Sequence, residues 1–217
     1  MIVTLDGPAG AGKSSVAREL AGRLGFRFLD TGAMYRAVAL AAMDRQVPWD
    51  APDQIANLAA QIDIQLQNDR VFLDGEDVSD AIRTPTVTAA VHHVADHPGV
   101  RERLVQLQRQ AAKGGDFVTE GRDQGTVAFP DAACKIYLTA SPEERARRRL
   151  RELRLRGESM ELENLLADQN LRDRRDETRA VGRLMQAADA VEVVTDGMSQ
   201  TEVVDRLEEI VRGKAEM

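Results

Sequence analysis

The sequence predicts an α/β fold, with a parallel β-sheet covered by helices on both faces. Three observations carry that expectation. Short β-branched apolar runs alternate with stretches of helical periodicity. A glycine-rich segment of the form GxxxxGK[ST] joins the first run to the first periodic stretch. The 217 residues suffice for one well-cored domain with room for a small inserted lobe.

The elements follow in order. Ile2-Val3-Thr4-Leu5 reads as a buried strand. Val16, Leu20 and Leu24 recur at helical spacing, and Gly25 supplies a stop. Residues 26–29 make a second strand and residues 33–43 a second helix. The rhythm then breaks. Ile62, Ile64 and Leu66 alternate with polar residues, Asn68-Asp69 offers a turn, and Val71-Phe72-Leu73 resumes before Asp74-Gly75. That pattern is a hairpin with one apolar face, so residues 56–98 are expected to form an inserted lobe. Phe117-Val118-Thr119 and Lys135-Ile136-Tyr137-Leu138 supply two more buried strands. Ser141-Pro142-Glu143-Glu144 carries the signature of a capping box. Residues 148–179, rich in charge and poor in β-branched residues, form a second candidate lobe. Residues 190–195 make a fifth strand, and Ser199-Gln200-Thr201-Glu202 caps a last helix carrying Val203, Leu207 and Ile210.

Composition excludes several classes. No run approaches the roughly 18 apolar residues of a membrane helix. Met1-Ile2-Val3-Thr4-Leu5 leads straight into the glycine loop, unlike a secretion signal. A single cysteine, Cys134, excludes an internal disulfide and is expected to be a small buried hydrophobe. A cytoplasmic protein without membrane contact is the expectation. The net charge of −7 argues against a nucleic-acid binder. Basic residues nonetheless crowd between Arg145 and Arg179, which suits a small anionic ligand better than a polymer.

Gly7-Pro8-Ala9-Gly10-Ala11-Gly12-Lys13-Ser14 matches the phosphate-loop pattern in full, follows a strand and opens a helix. Glycines let successive N–H groups turn toward phosphate oxygens, and the helix aims its positive end at the same anion. Lys13 adds a point charge toward the terminal phosphates, and the Ser14 hydroxyl is the candidate Mg²⁺ ligand. Gly7 through Gly12, with Lys13, Ser14 and Ser15, are thus the expected ATP-binding residues. No N/T-K-x-D segment follows a later strand, which argues against a GTPase-type switch. The chain also lacks room for the modules of a motor ATPase.

Four clusters could hold a phosphorylated acceptor. Asp30-Thr31-Gly32-Ala33-Met34-Tyr35-Arg36 follows the second strand, Arg101 and Arg103 follow Pro98-Gly99, and Glu120-Gly121-Arg122-Asp123-Gln124-Gly125-Thr126 follows the third strand. Loops at the carboxyl ends of parallel strands form the ligand crevice. In the fourth cluster Arg172, Arg175, Asp176 and Arg179 fall at i, i+3, i+4 and i+7, one helical face. Salt-bridge lacing is the alternative reading of that face, but three arginines on it exceed its one acid. Phosphoryl transfer wants such charge, and arginine forks bind phosphate bidentately. His92, His93 and His97 suggest a metal set, yet without cysteines or paired carboxylates a zinc site is not expected. Trp49 is expected to pack rather than stack.

These segments resemble the bacterial cytidylate kinases. The resemblance rests on the loop from Asp6 to Ser14, on Asp30-Thr31-Gly32-Ala33-Met34-Tyr35-Arg36, and on the run from Gly121 through Phe129-Pro130-Asp131-Ala132. Gly75-Glu76-Asp77-Val78-Ser79, Ile82-Arg83 and the arginine helix with Ala180-Val181 extend it over essentially the whole chain. Adenylate, thymidylate and shikimate kinases share only the phosphate loop and sheet. The resemblance implies a P-loop kinase of three α/β/α layers with a five-stranded parallel sheet, over residues 1–35, 99–147 and 180–217. It also implies a monophosphate-binding lobe with a small β-sheet (about 36–98) and a helical lid (about 148–179). The implied reaction transfers phosphate from ATP to CMP or dCMP with Mg²⁺. An acceptor oxygen that is already anionic needs no covalent intermediate, and a monomer is expected. Thr31, Arg36, Arg101, Arg122, Asp123, Arg172, Asp176 and Arg179 would surround the acceptor. Arg36, Arg101 and Arg122 suit its phosphate, and Asp123 and Asp176 its base or sugar. His92 aligns with a polar base-contacting residue, often serine. Lys13, Arg122, Arg175 and Arg179 would be catalytic, with lid arginines among Arg145, Arg148, Arg149 and Arg156. Within enzymes, a kinase for UMP or another phosphorylated metabolite remains the rival.

Overall fold

A computed structural model describes residues 1–67, 70–155, 157–158 and 160–215. In chain order the elements are β1 (Ile2–Asp6), α1 (Lys13–Leu24), β2 (Arg27–Asp30), α2 (Thr31–Asp44), α3 (Pro52–Gln61), β3 (Ile64–Gln67), β4 (Arg70–Leu73), β5 (Glu76–Asp77), α4 (Pro85–Ala95) and α5 (Pro98–Ala111). They continue with β6 (Phe117–Gly121), β7 (Cys134–Thr139), α6 (Pro142–Leu155), α7 (Leu162–Thr178), β8 (Val191–Val194) and α8 (Gln200–Ala215). The chain folds as two compact units, Met1–Phe28 with Gly115–Met217, and Leu29–Gly114.

The first unit is organised by the expected five-stranded parallel sheet, in the order β2-β6-β1-β7-β8. β1 lies at its centre, parallel to both β6 and β7. A strand buried on both faces reads as a continuous apolar run, as Ile2-Val3-Thr4-Leu5 does. Val3, Leu5, Val118, Ile136 and Leu138 form one core with Val16 and Leu20 of α1 and Val203 and Leu207 of α8. Each such side chain stabilises the fold by about 1.5–3 kcal/mol. α8 buries Val203, Leu207 and Val211, four apart, while Ile210 packs at the margin of the core. The Ser199 capping box forms reciprocally. The Glu202 N–H donates to Ser199 Oγ at 3.3 Å, and the Ser199 N–H donates to Glu202 Oε2 at 2.8 Å.

The other capping box is only half made. The Glu144 N–H donates to Ser141 Oγ at 3.3 Å, but the Ser141 N–H is satisfied by Asp196 Oδ2 at 2.9 Å. Glu144 turns instead to Arg148, Nε to Oε1 3.1 Å. α6 and α7 pack on each other through Ala146, Leu153 and Leu165, a small core of their own. α7 stops at Thr178, and Arg179 is extended (φ −60, ψ 147). Arg179 therefore leaves the helical face on which the seven-residue spacing sets it.

In the second unit β3 and β4 pair as the antiparallel hairpin read from the sequence, with Ile64 opposite Leu73 and Leu66 opposite Val71. β5 adds a third strand. Ile62 is buried past the end of α3 rather than in the strand, and the Asn68-Asp69 turn lies outside the described residues. The sheet shares a core with Met34, Ile55, Ile82 and Leu104. α2 packs on α4, and its alanines Ala37 and Ala41 are buried in the same core. It begins two residues earlier than its apolar run, because Asp30 caps it by accepting the Ala33 N–H at 2.8 Å.

Candidate active site

The phosphate loop is shaped before any ligand arrives. Gly7 has φ 149, and a Cβ there would fall 2.0 Å from the Leu138 carbonyl oxygen, so the position admits only glycine. Gly12 caps α1 in a left-handed conformation with no side-chain partner, and the first turn of α1 holds no acidic residue. The positive end of the helix dipole is thus offered to an exogenous anion. Lys13 is buried, and its Nζ donates to the Pro8 carbonyl at 2.7 Å. Ser14 and Ser15 are exposed on that first turn. A hydroxyl oxygen beside a phosphate cradle is a hard donor of the kind Mg²⁺ takes, with phosphate and water filling its other positions. The residues present therefore fit the ion, and Ser14 is the one that would hold it.

Behind the loop lies a group of buried charges. Asp6 ends β1, and its two carboxylate oxygens accept the N–H groups of Gln124 (2.8 Å) and Gly125 (2.7 Å). Burial pushes the Asp6 carboxyl up to about 6, against the pull of those two N–H groups and Lys13. The grip closes a single π-helical turn, Gln124–Ala128, after β6. A Cβ at Gly125 would sit tightly, 3.0 Å from Thr4 Oγ1 and 3.4 Å from Asp6 Oδ2. Burial, reinforced by the Arg122 and Arg172 charges, pushes Lys13 down to about 7, while Glu120 and Asp6 oppose that shift.

The Lys13 shift has a measurable consequence. A polyphosphate favours the ammonium form and raises the pKa on binding. Above pH 7 the free lysine loses its proton and must regain it to bind. ATP affinity is expected to fall as pH rises through about 7 to 8, with proton uptake. Calorimetry in buffers of different ionisation enthalpy measures both; pH-independent affinity with no proton exchange would contradict the shift.

In the same unit α7 presents two buried carboxylates, Asp173 and Asp176. Asp176 Oδ2 accepts Arg122 Nε at 2.7 Å, and Oδ1 accepts Arg179 Nη2. Burial works to raise the Asp176 carboxyl, but Arg122 and Arg179 outweigh it and the net shift is downward. Two guanidinium groups share one carboxylate, so the trio retains net positive charge. Asp173 is taken by Arg145, Nη1 to Oδ2 2.7 Å. Arg172 and Arg175 are exposed, and Asp123 is buried beside the π-helical turn. Of the Arg172-Arg175-Asp176-Arg179 face read from the sequence, Asp176 is buried and Arg172 and Arg175 are exposed, with the Arg172 charge still felt at Lys13 and Asp176, and Arg179 lies beyond the helix end. Among the arginines expected of a lid, Arg145 donates to main-chain carbonyls, Arg148 donates to Thr195 (Nη2 to O 2.6 Å), and Arg149 forms an exposed pair with Glu152. Arg156 lies outside the described residues.

The second unit carries its own candidates. Thr31 is buried at the start of α2. Arg36 makes a long contact with Asp30 (3.3 Å), and its Nε is buried without a hydrogen-bond partner among the described residues. Arg101 is buried, donates to the Ala95 carbonyl at 3.1 Å and lies over the Tyr35 ring. His92 is exposed, with Nδ1 held 2.7 Å from the Ala89 carbonyl, and its ring meets His93. Trp49 stacks on His93 with centroids 4.7 Å apart, and it packs on the core as well, so it does both things. His97 caps α5. Among the described residues no group of three His, Cys, Asp or Glu could hold a metal. Cys134 is buried at the start of β7, and burial pushes its thiol up to about 11.

Three features escaped sequence reasoning: the grip of Asp6 on the π-helical turn, the turn itself, and the contact of Asp173 with the loop. An acid closing a central strand was the one local signal for the first.

The chain matches the family model described as cytidylate kinase over residues 3–213. It is 55% identical over 212 residues to the cytidylate kinase of Rhodopirellula baltica, covering 98% of this chain and 93% of that one. It is 54% identical over 207 residues to that of Pelotomaculum thermopropionicum, covering 93% and 92%. A solved structure of TT1252 from Thermus thermophilus shares the fold, with a TM-score of 0.51 at 20% identity over 99% of this chain and 97% of that one. An uncharacterized protein from Eubacterium ventriosum does so with a TM-score of 0.53 at 12% identity over 98% of each.

Proposed function

The chain belongs to the cytidylate kinase family, and from that premise we propose that it phosphorylates CMP and dCMP with ATP, giving CDP and dCDP for pyrimidine nucleotide metabolism. Family membership makes it a nucleoside monophosphate kinase with ATP as phosphate donor. The observation that carries the reading is the preformed loop around Lys13, whose neighbouring cation Arg122 shares Asp176 with Arg179.

The acceptor phosphate is already anionic near neutral pH, so direct transfer needs neither a general base nor a protein nucleophile. Catalysis then rests on positioning and on neutralising the charge of the transferring group. Lys13, Arg122, Arg175 and Arg179 are the proposed catalytic cations, and Gly7 through Ser15 the donor site. Mg²⁺ held at Ser14 would supply charge neutralisation at the donor phosphates. Proposed acceptor ligands are Arg122, Asp123, Arg172, Asp176 and Arg179 in the first unit, and Thr31, Arg36, His92 and Arg101 in the second. The buried Arg36 Nε, without a hydrogen-bond partner among the described residues, supports its role as a donor held for a ligand. Among the described residues no helix is long and apolar enough to cross a membrane. A cytoplasmic monomer that binds no nucleic acid completes the proposal.

An acceptor screen coupled to ADP release tests it. CMP and dCMP are expected to be turned over well above UMP, other monophosphates and phosphorylated metabolites. ATP loss that is slow and indifferent to acceptor would instead describe a nucleotide switch.

A further inference from the structure

Beneath the loop lies a buried ion pair that the transfer chemistry does not use. Arg145 of α6 and Asp173 of α7 are both buried, with Nη1 and Oδ2 2.7 Å apart. The same Nη1 donates to the Ala9 carbonyl of the phosphate loop at 2.8 Å, and Nε donates to the Ala140 carbonyl, just past β7, at 3.0 Å. The second oxygen of Asp173 accepts the Ala9 N–H at 3.4 Å. Residue Ala9 therefore has both of its backbone polar groups held by one ion pair. One turn earlier on α7, Gln169 Nε2 donates to the Pro142 carbonyl at 3.0 Å. The Oε1 of that side chain lies 3.4 Å from where a Cβ at Gly10 would stand, as does Arg145 Cβ. Both helices thus meet the loop tip at Ala9 and Gly10.

We propose that Arg145 and Asp173 are positioning residues for the donor: a charge pair that fixes the loop backbone at Ala9 in its phosphate-binding shape and fastens the α6–α7 hairpin to it. Arg145 is anchored to the protein, its Nε and Nη1 being spent on protein oxygens. A planar guanidinium suits the task because it reaches two carbonyls and a carboxylate from one rigid group. The neighbour of Ala9, Gly10, sits at φ 76, a left-handed conformation that glycine adopts readily and other residues do not. Small displacements of a binding backbone have large effects, with about 1 Å costing up to about 100-fold.

The test titrates the whole protein with magnesium–ATP and no acceptor, so it stands or falls independently of which acceptor is used. Removing one partner strands a buried charge, which threatens folding, whereas removing both together does not. Arg145→Met with Asp173→Leu is therefore the main variant, and Asp173→Asn, which keeps the shape, is the second. The double variant is expected to keep a cooperative melt near that of the unaltered protein, and Asp173→Asn to melt lower because it leaves the buried Arg145 charge without its anion. Both, once folded, are expected to bind ATP about tenfold or more weakly. ATP affinity within about twofold of the unaltered protein in either folded variant would overturn the proposal. So would affinity lost only in proportion to the folded fraction, since that describes stability alone.

Discussion

Lys13→Ala is expected to lower turnover by about 10³-fold or more while the protein remains folded. The two halves of that expectation have separate causes. Lys13 lies buried at the first position of α1, where developing charge on a transferring phosphoryl group meets a point charge in a water-poor setting. No other lysine lies in the loop, so nothing replaces it. For folding, the loss is modest. Burial already disfavours the ammonium, pushing it down to about 7, so the fold gains little from the charge. What is given up is one donor to the Pro8 carbonyl, at about 1–3 kcal/mol if no water takes its place. Steady-state turnover alongside a thermal melt separates the two. Near-normal turnover would remove the phosphate loop from the mechanism.

Arg179→Ala is the second large effect, about 10³-fold in turnover with CMP. Its side chain is 8% exposed, and its guanidinium shares Asp176 with Arg122. Because one carboxylate serves two arginines, deleting Arg179 leaves Asp176 still paired to Arg122. The buried acid is not stranded, and the melt should move little. Asp176→Ala is the poorer probe, because it would leave two arginines without their anion and cost about 3–5 kcal/mol in stability. Retained turnover in Arg179→Ala would reassign that residue to holding α7 in place.

Much of this was legible in the chain. The glycine loop announced itself because its context, strand before and helix after, is a local property of sequence. The hairpin at β3 and β4 was legible from the period-two alternation of Ile64, Leu66, Val71 and Leu73, and the cap at Ser199 from its Glu202 partner three residues on. What escaped notice depends on partners far along the chain. Nothing near Ser141 says that Asp196 will take its N–H in place of Glu144. The periodicity Arg172, Arg175, Asp176, Arg179 runs on unbroken, with no glycine or proline to mark the stop at Thr178. Salt-bridge lacing was the local alternative, and one such pair forms between Arg179 and Asp176. The other partners come from 54 residues away for Asp176 and 28 for Asp173, as Arg122 and Arg145. Those long-range pairs bury Asp173 and Asp176, while Arg172 and Arg175 stay exposed.

The central claim is that a cradle of backbone N–H groups and cations binds a triphosphate, and that a nucleoside monophosphate is bound with it for transfer. Isothermal titration of the purified protein with magnesium–ATP, and separately with CMP, tests it most directly. The account predicts saturable binding of each ligand, with the ATP isotherm weakening at alkaline pH. Flat titrations for both would contradict it.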